Sequence, residues 1–135
     1  MIKNQWYAVL SSHQIKSGMV TAAKRFGQNL IFFRTSTGEL VCLNSLCAHR
    51  GASLAKGCVN NDHIQCPFHG IEYESTGKCV HIPSEDKGSK EDYSRFHLIH
   101  YPVHEIGGIV FIWYGDKDPV GEPDYFDAMT DPAII

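Results

Sequence analysis

No run of apolar residues in this chain approaches the roughly 20 that a membrane-spanning helix needs. Basic clusters are missing too: 12 Lys and Arg face 15 Asp and Glu, for a formal net charge of -3. That balance argues against nucleic acid and anionic membranes as partners. The N-terminal stretch MIKNQWYAVL lacks the long apolar core of a secretory signal. A cytoplasmic location is the default expectation. The cysteines do not suit a disulfide framework either. They number five (Cys42, Cys47, Cys58, Cys66 and Cys79), an odd count in a chain without a secretory signal. Cys42, Cys58 and Cys79 are expected to be buried, inert thiols. The 135 residues fit one domain, which at this size buries very roughly two-thirds of the surface its unfolded chain exposes.

Long helical periodicity, internal repeats and low-complexity tracts are absent as well. What the chain has is short β-prone runs divided by turn signals. The runs are Trp6–Leu10, Met19–Phe26, Gln28–Thr35, Leu40–Asn44, Asp62–Gln65, Ile71–Glu74, Cys79–Ile82, His97–Ile106 and Ile109–Tyr114. Polar Ser11–Ser17 suits one helical turn, and charged Ser84–Asp92 suits a solvated loop. NLIFFR is apolar on consecutive residues, which implies a strand buried on both faces. Phe111 and Trp113 read as core. Frequent short strands with regular turns predict an all-β, antiparallel sandwich or barrel. After Gly115 the pattern stops. Residues 116–135 carry three Pro and six acidic residues with no clear closing element, a tail that suits either a natural end or a cut from a longer chain.

Two short stretches stand apart. LCAHRGASL runs from Leu46 to Leu54 and QCPFHGIEY from Gln65 to Tyr73. Each places one Cys and one His close together at a strand end, followed by a Gly that permits a tight turn. Four such ligands, Cys47, His49, Cys66 and His69, could hold a structural zinc ion tetrahedrally. They could equally hold a [2Fe–2S] cluster, with both Cys on one iron and both His on the other. Structural zinc sites favour two to four residues between paired ligands. Here one pair is C-x-H and the other C-x-x-H. His63 lies near Cys66, but as a ligand it would break the two-stretch pattern. His13, His81, His97, His100 and His104 fall on predicted strands or their edges and are expected to be solvated or hydrogen-bonded.

CAHRG and CPFHG resemble the two cluster-binding boxes of Rieske proteins, C-x-H-x-G and C-P-x-H-G. The resemblance extends from about Trp6 to Gly115. It implies a Rieske domain, a sandwich or incomplete barrel with a two-loop cluster-binding subdomain, and a Rieske-type [2Fe–2S] cofactor on Cys47, His49, Cys66 and His69. Arg50, Gly51, Pro67, Gly70 and Tyr73 would support the loops or a partner contact. Respiratory Rieske proteins carry an extra Cys in each box; Ala52 and Phe68 stand there instead, which excludes that variant. They also carry a Ser after the second His-Gly, where this chain has Ile71. NQWYAVL, CPFHGIEYESTGKCVHIPS and EIGGIVFIWYGD are similar to the N-terminal domain of Rieske non-haem iron oxygenases, although many of those have Trp at the Ile71 position. Membership would imply one-electron transfer to a catalytic iron on a separate downstream domain. It would also imply a flavin reductase or ferredoxin as donor, and an aromatic substrate for a monooxygenase or dioxygenase. A free-standing Rieske-type ferredoxin is the alternative, and a zinc module a remote one.

Overall fold

The computed structural model describes residues 3–45, 53–67, 70–82, 97–115 and 119. They form eleven strands: β1 Gln5–Ser11, β2 Thr21–Arg25, β3 Gln28–Arg34, β4 Leu40–Asn44, β5 Cys58–Asn60, β6 His63–Gln65, β7 Glu72–Tyr73, β8 Cys79–His81, β9 His100–Tyr101, β10 Val103–Ile106 and β11 Ile109–Tyr114. The helical content described is two 3-10 turns, Ser12–Gln14 and Leu54–Lys56. None of the described helices is long and apolar enough to cross a membrane.

The strands make three antiparallel sheets, ordered β1-β11-β10, β2-β3-β4-β9 and β5-β6-β7-β8. The middle sheet is the shared wall. Side chains alternate faces along a strand, and β3 and β4 are apolar on both. Leu30, Phe32, Leu40 and Cys42 join Val9, Tyr101, Val110 and Ile112 in one core, against β1 and β11. Ile31, Phe33, Val41 and Leu43 join Leu54, Ile64, Cys66, Ile71, Tyr73, Cys79, Ile82 and Leu98 in the other. Leu30, Ile31, Phe32 and Phe33 are each 0% exposed, so the apolar run is buried on both faces, as its sequence implies.

Most expected strands appear within a residue or two of their expected ends. Three differences have clear causes. The run His97–Ile106 is cut at Pro102, which has no N–H for a ladder; β9 pairs with β4, while β10 pairs with β11. Strand β5 was not expected, because its turn to β6 is Asn61–Asp62 rather than a Gly pair. Both residues take left-handed backbone, with φ of 51° and 64°, a conformation that Asn and Asp tolerate. Cys58 is exposed on β5, so the expectation of a buried thiol fails there. Cys42 and Cys79 are buried, and desolvation pushes the Cys42 thiol well above its usual range.

Arg34 at the end of β3 ties two sheets together. Its guanidinium donates two 2.8 Å bonds to the Glu105 carboxylate on β10. It also donates to the Ile15 carbonyl at 3.0 Å. Arg34 holds the Glu105 carboxyl below its usual range. A carboxyl with a lowered pKa stabilises the fold fully above the ordinary carboxylate range, and that contribution is lost as pH falls through the lowered value. Glu105→Gln should cost about 1–2 kcal/mol in urea unfolding at neutral pH, because the carboxylate is partly solvent-screened. The gap to wild type should close in acid; a gap that stays constant down through the acid range would refute this role.

Candidate metal centre

Of the expected site residues, Cys66, Pro67, Gly70 and Tyr73 are described; Cys47, His49, Arg50, Gly51 and His69 lie outside the described residues. So do Ala52, Phe68, the loop Ser84–Asp92 and most of the segment 116–135. The strands and turns that frame both ligand stretches are nonetheless defined.

The first stretch leaves β4 and returns at the Leu54–Lys56 turn. Its base is closed by the Leu54 amide, which donates to the Ser45 carbonyl at 2.6 Å, and Ser45 is fixed by its own amide donating to Asn29 at 2.8 Å. The Ser53 hydroxyl accepts the Ala55 amide at 3.2 Å and caps the turn. Leu54, 0% exposed, anchors this end in the same core as Cys66.

The second stretch joins β6 to β7. The strand legs pair Ile64 with Tyr73 and Gln65 with Glu72. His63 Nδ1 lies 3.7 Å from the Glu72 carboxylate across the legs. The Cys66 amide donates to the Ile71 carbonyl at 2.8 Å, and its carbonyl accepts the Gly70 amide at 3.0 Å. Gly70 sits at φ 73°, where any Cβ is strained. Its N–H closes the loop in a turn bond. The Cys66 side chain is 2% exposed and packs with Ile64, Ile71 and Tyr73. Tyr73 is fully buried, which leaves its hydroxyl inside the protein near the Cys66 core. Ile71 is 1% exposed and offers no side-chain donor.

The two framed ends meet. A Cβ placed on Gly57, just after the first stretch, would collide with the Gln65 carbonyl, the residue before Cys66. Gly57 therefore lets β5 close onto β6 at the start of the second stretch. A surface depression of about 430 Å³ runs over this junction, lined by Lys56, Gly57, Cys58, Gln65, Cys66, Pro67 and Gly70. Sequence reasoning missed Ser45, Leu54 and Gly57; a Gly directly before a β-prone run was the available signal for Gly57. His81, His100 and His104 lie on β8, β9 and β10. Among the described residues no three His, Cys, Asp or Glu side chains converge as a metal site.

A buried thiol at a strand end, held by a closed turn beside the base of a second Cys/His stretch, suits thiolate ligation of iron and sulfide in a low-dielectric setting. Comparison with known proteins agrees. A cholesterol 7-desaturase of Ciona intestinalis is 32% identical over 131 residues, covering 94% of this chain and 27% of the relative. The crystal structure of apo dicamba monooxygenase superposes with a TM-score of 0.83 at 32% identity, over 98% of this chain and 41% of that one. The oxygenase–ferredoxin complex of carbazole 1,9a-dioxygenase gives 0.76 at 36% identity, over 87% and 30%. The chain spans less than half the length of each. The Rieske [2Fe–2S] domain family matches residues 5–103, and with the antiparallel fold and the framed Cys/His stretches this places the chain in that family, as a domain that transfers electrons through a Rieske-type [2Fe–2S] cluster.

Proposed function

We propose that residues 1–115 are the electron-accepting Rieske domain of a non-haem iron oxygenase and that residues 116–135 lead towards its catalytic domain. The observation that carries this reading is that the bases of the two stretches meet, Gly57 against Gln65, beside the buried Cys66. In this reading Cys47 and Cys66 hold one iron as thiolates, and His49 and His69 hold the other through one ring nitrogen each. The bound cluster supplies one-electron oxidation and reduction. The chain's own residues do the rest. Leu54, Ile64 and Ile71 keep water from the Cys66 side, Gly57 brings the two stretches into register, and the Gly70 turn fixes the loop. In this reading electrons are exchanged with a donor and an acceptor through the His side.

Similarity to a cholesterol desaturase, a dicamba monooxygenase and a carbazole dioxygenase supports an oxygenase acting on a ring-containing, often aromatic, substrate. A flavin reductase or a ferredoxin is the donor class, the latter favoured by the neighbouring oxygenase–ferredoxin complex. The acceptor is a mononuclear iron on the same or a neighbouring chain, where two His and one carboxylate are the usual ligands.

Ligand substitutions test the assignment. Cys47→Ala and Cys66→Ala should each lose the visible absorption and the iron, whereas Cys58→Ala, at an exposed position, should keep both. Retention of a full spectrum in Cys47→Ala would refute it. His69→Cys should retain iron but change the paramagnetic resonance of the reduced protein.

The reduction potential gives a second test. Hydrogen bonds to the sulfurs favour the reduced, more negative cluster and raise the potential. This chain has Ile71 in place of a hydroxyl donor, and Ala52 and Phe68 in place of a disulfide. The expected midpoint is therefore about -150 to -100 mV, at the low end of the Rieske range. Protein-film voltammetry should find it there, and lower again in Tyr73→Phe if that hydroxyl donates to a sulfur. A midpoint above about +100 mV at neutral pH would contradict the low-potential oxygenase reading.

A further inference from the structure

The hairpin of β5 and β6 joins the two ligand stretches. One leg begins at Cys58, directly after the Gly57 that ends the return of the first stretch, and the other ends at Gln65, the residue before Cys66. The legs pair Cys58 with Gln65 and Asn60 with His63, which couples the two bases. Strand β5 is the edge of its sheet. Towards the hairpin tip a cleft of about 570 Å³ separates it from the middle sheet, lined by Arg34, Thr35, Val59 and Asn61 among others. Asp62 bridges the two sides at this cleft. Its carboxylate accepts the Ser36 amide at 2.7 Å on one oxygen and the Ser36 hydroxyl at 2.8 Å on the other. Ser36 belongs to the β3–β4 turn, in which the Thr35 amide donates to the Glu39 carbonyl and the Gly38 amide to the Thr35 carbonyl, both at 2.9 Å. Next to it Arg34 carries the ion pair to Glu105. One end of the middle sheet thus receives a polar tie from each of the other two sheets.

We propose that Asp62 is a positioning residue for the metal centre: by tying the hairpin tip to the β3–β4 turn, it fixes how the bases of the two ligand stretches sit on the middle sheet. The residue type argues for this. Asn61 and Asp62 are both left-handed, with φ of 51° and 64°, and a two-residue turn of this kind favours Gly at its second position. Asp forgoes the backbone freedom of Gly there, and its side chain binds Ser36 instead. A carboxylate facing two donors forms stronger bonds than a neutral acceptor would. From the tip, the three residues of β6, His63–Gln65, lead directly to Cys66, and Ile64 lies in the same core as Cys66. A strand this short carries a displacement of its tip to the residue that follows it. Functional sites are held to about 0.5 Å by such supporting bonds. The proposal rests on Cys66 being a ligand, whereas the tie itself does not.

The test uses the full, iron-loaded chain with Asp62→Gly, Asp62→Asn and Ser36→Ala. Asp62→Gly gives the turn its favoured Asn-Gly sequence while removing the tie, so the thermal unfolding temperature should hold or rise. Amide exchange in the segment 58–66, read by mass spectrometry, should nonetheless speed up about two- to tenfold, and the paramagnetic resonance of the reduced cluster should broaden. Asp62→Asn keeps one oxygen for the Ser36 amide and should restore most of the protection and the wild-type signal. Ser36→Ala keeps the amide donor and should fall between the two. Where the glycine variant fails to load iron, Ser36→Ala decides by the same readouts. Unchanged exchange and resonance in Asp62→Gly would overturn the proposal. So would faster exchange with an unaltered resonance, the mark of a tie that is structural only. Asp62→Asn behaving as Asp62→Gly does would also overturn it, by assigning the effect to charge rather than to the bonds. The Cys66→Ala variant reports separately on the ligand reading, so a failure there and a failure of this proposal are distinct.

Discussion

The structure depends on one strand pair that is buried on both sides. Strands β3 and β4 place alternate residues into two separate cores, Leu30 and Phe32 into one, Ile31 and Phe33 into the other. Each fully buried side chain of this kind contributes about 1.5–3 kcal/mol. The outer sheet and the cluster-bearing sheet are thereby fixed to a common wall, although they share little direct contact. The consequence for the site is positional. The first ligand stretch leaves from the end of β4, one of the two strands of that wall. The second stretch grows from β6, whose Ile64 packs into the same core. The described bases of both stretches are thus anchored to one wall.

Electron transfer favours a centre whose surroundings move little between redox states, and sites on rigid elements hold their geometry best. The framing of the ligand stretches follows that requirement. Leu54 to Ser45 closes the first base, while Cys66 to Ile71 and Gly70 to Cys66 close the second. These bonds are between backbone groups, so they constrain the loops without demanding particular side chains there. The side chains are then available for ligation and for partner contact. Gly57 adds a constraint of another kind, because the close approach of β5 to the Gln65 carbonyl leaves no room for a Cβ.

Much of this was legible in the sequence, for reasons that differ by element. The two Cys/His stretches carry their chemistry in residue type and spacing, which no fold can hide. NLIFFR announced its double burial because four consecutive apolar side chains have no solvent face to occupy. The Leu40–Asn44 run had its observed bounds because turns delimit it on one side and a ligand stretch on the other. What escaped was set by backbone conformation or tertiary contact. The Asn61–Asp62 turn hides β5, since nothing in those two residue types demands a left-handed pair. Pro102 was visible, but its effect of passing the chain from one sheet to another depends on where β4 and β11 lie. Phe111 and Trp113 read correctly as buried, yet their lying outside both cores follows only from the register of β11.

The cysteines show why burial alone does not identify a ligand. Cys42, Cys66 and Cys79 are 0%, 2% and 1% exposed, so burial does not separate them. Position in the backbone does. Cys42 and Cys79 lie within strand ladders, paired with Phe32 and Tyr101 in one case and Tyr73 in the other, and their side chains fill sheet cores. Burial without a compensating charge raises the Cys42 thiol and favours its protonated form. Cys66 stands at the end of β6, where the ladder stops and the chain turns through Pro67 to the left-handed Gly70. There a buried sulfur borders a loop rather than another strand, and a bound cation can offset the cost of a buried thiolate. The same apolar environment that silences a cysteine inside a sheet thus suits one at its edge to hold a metal.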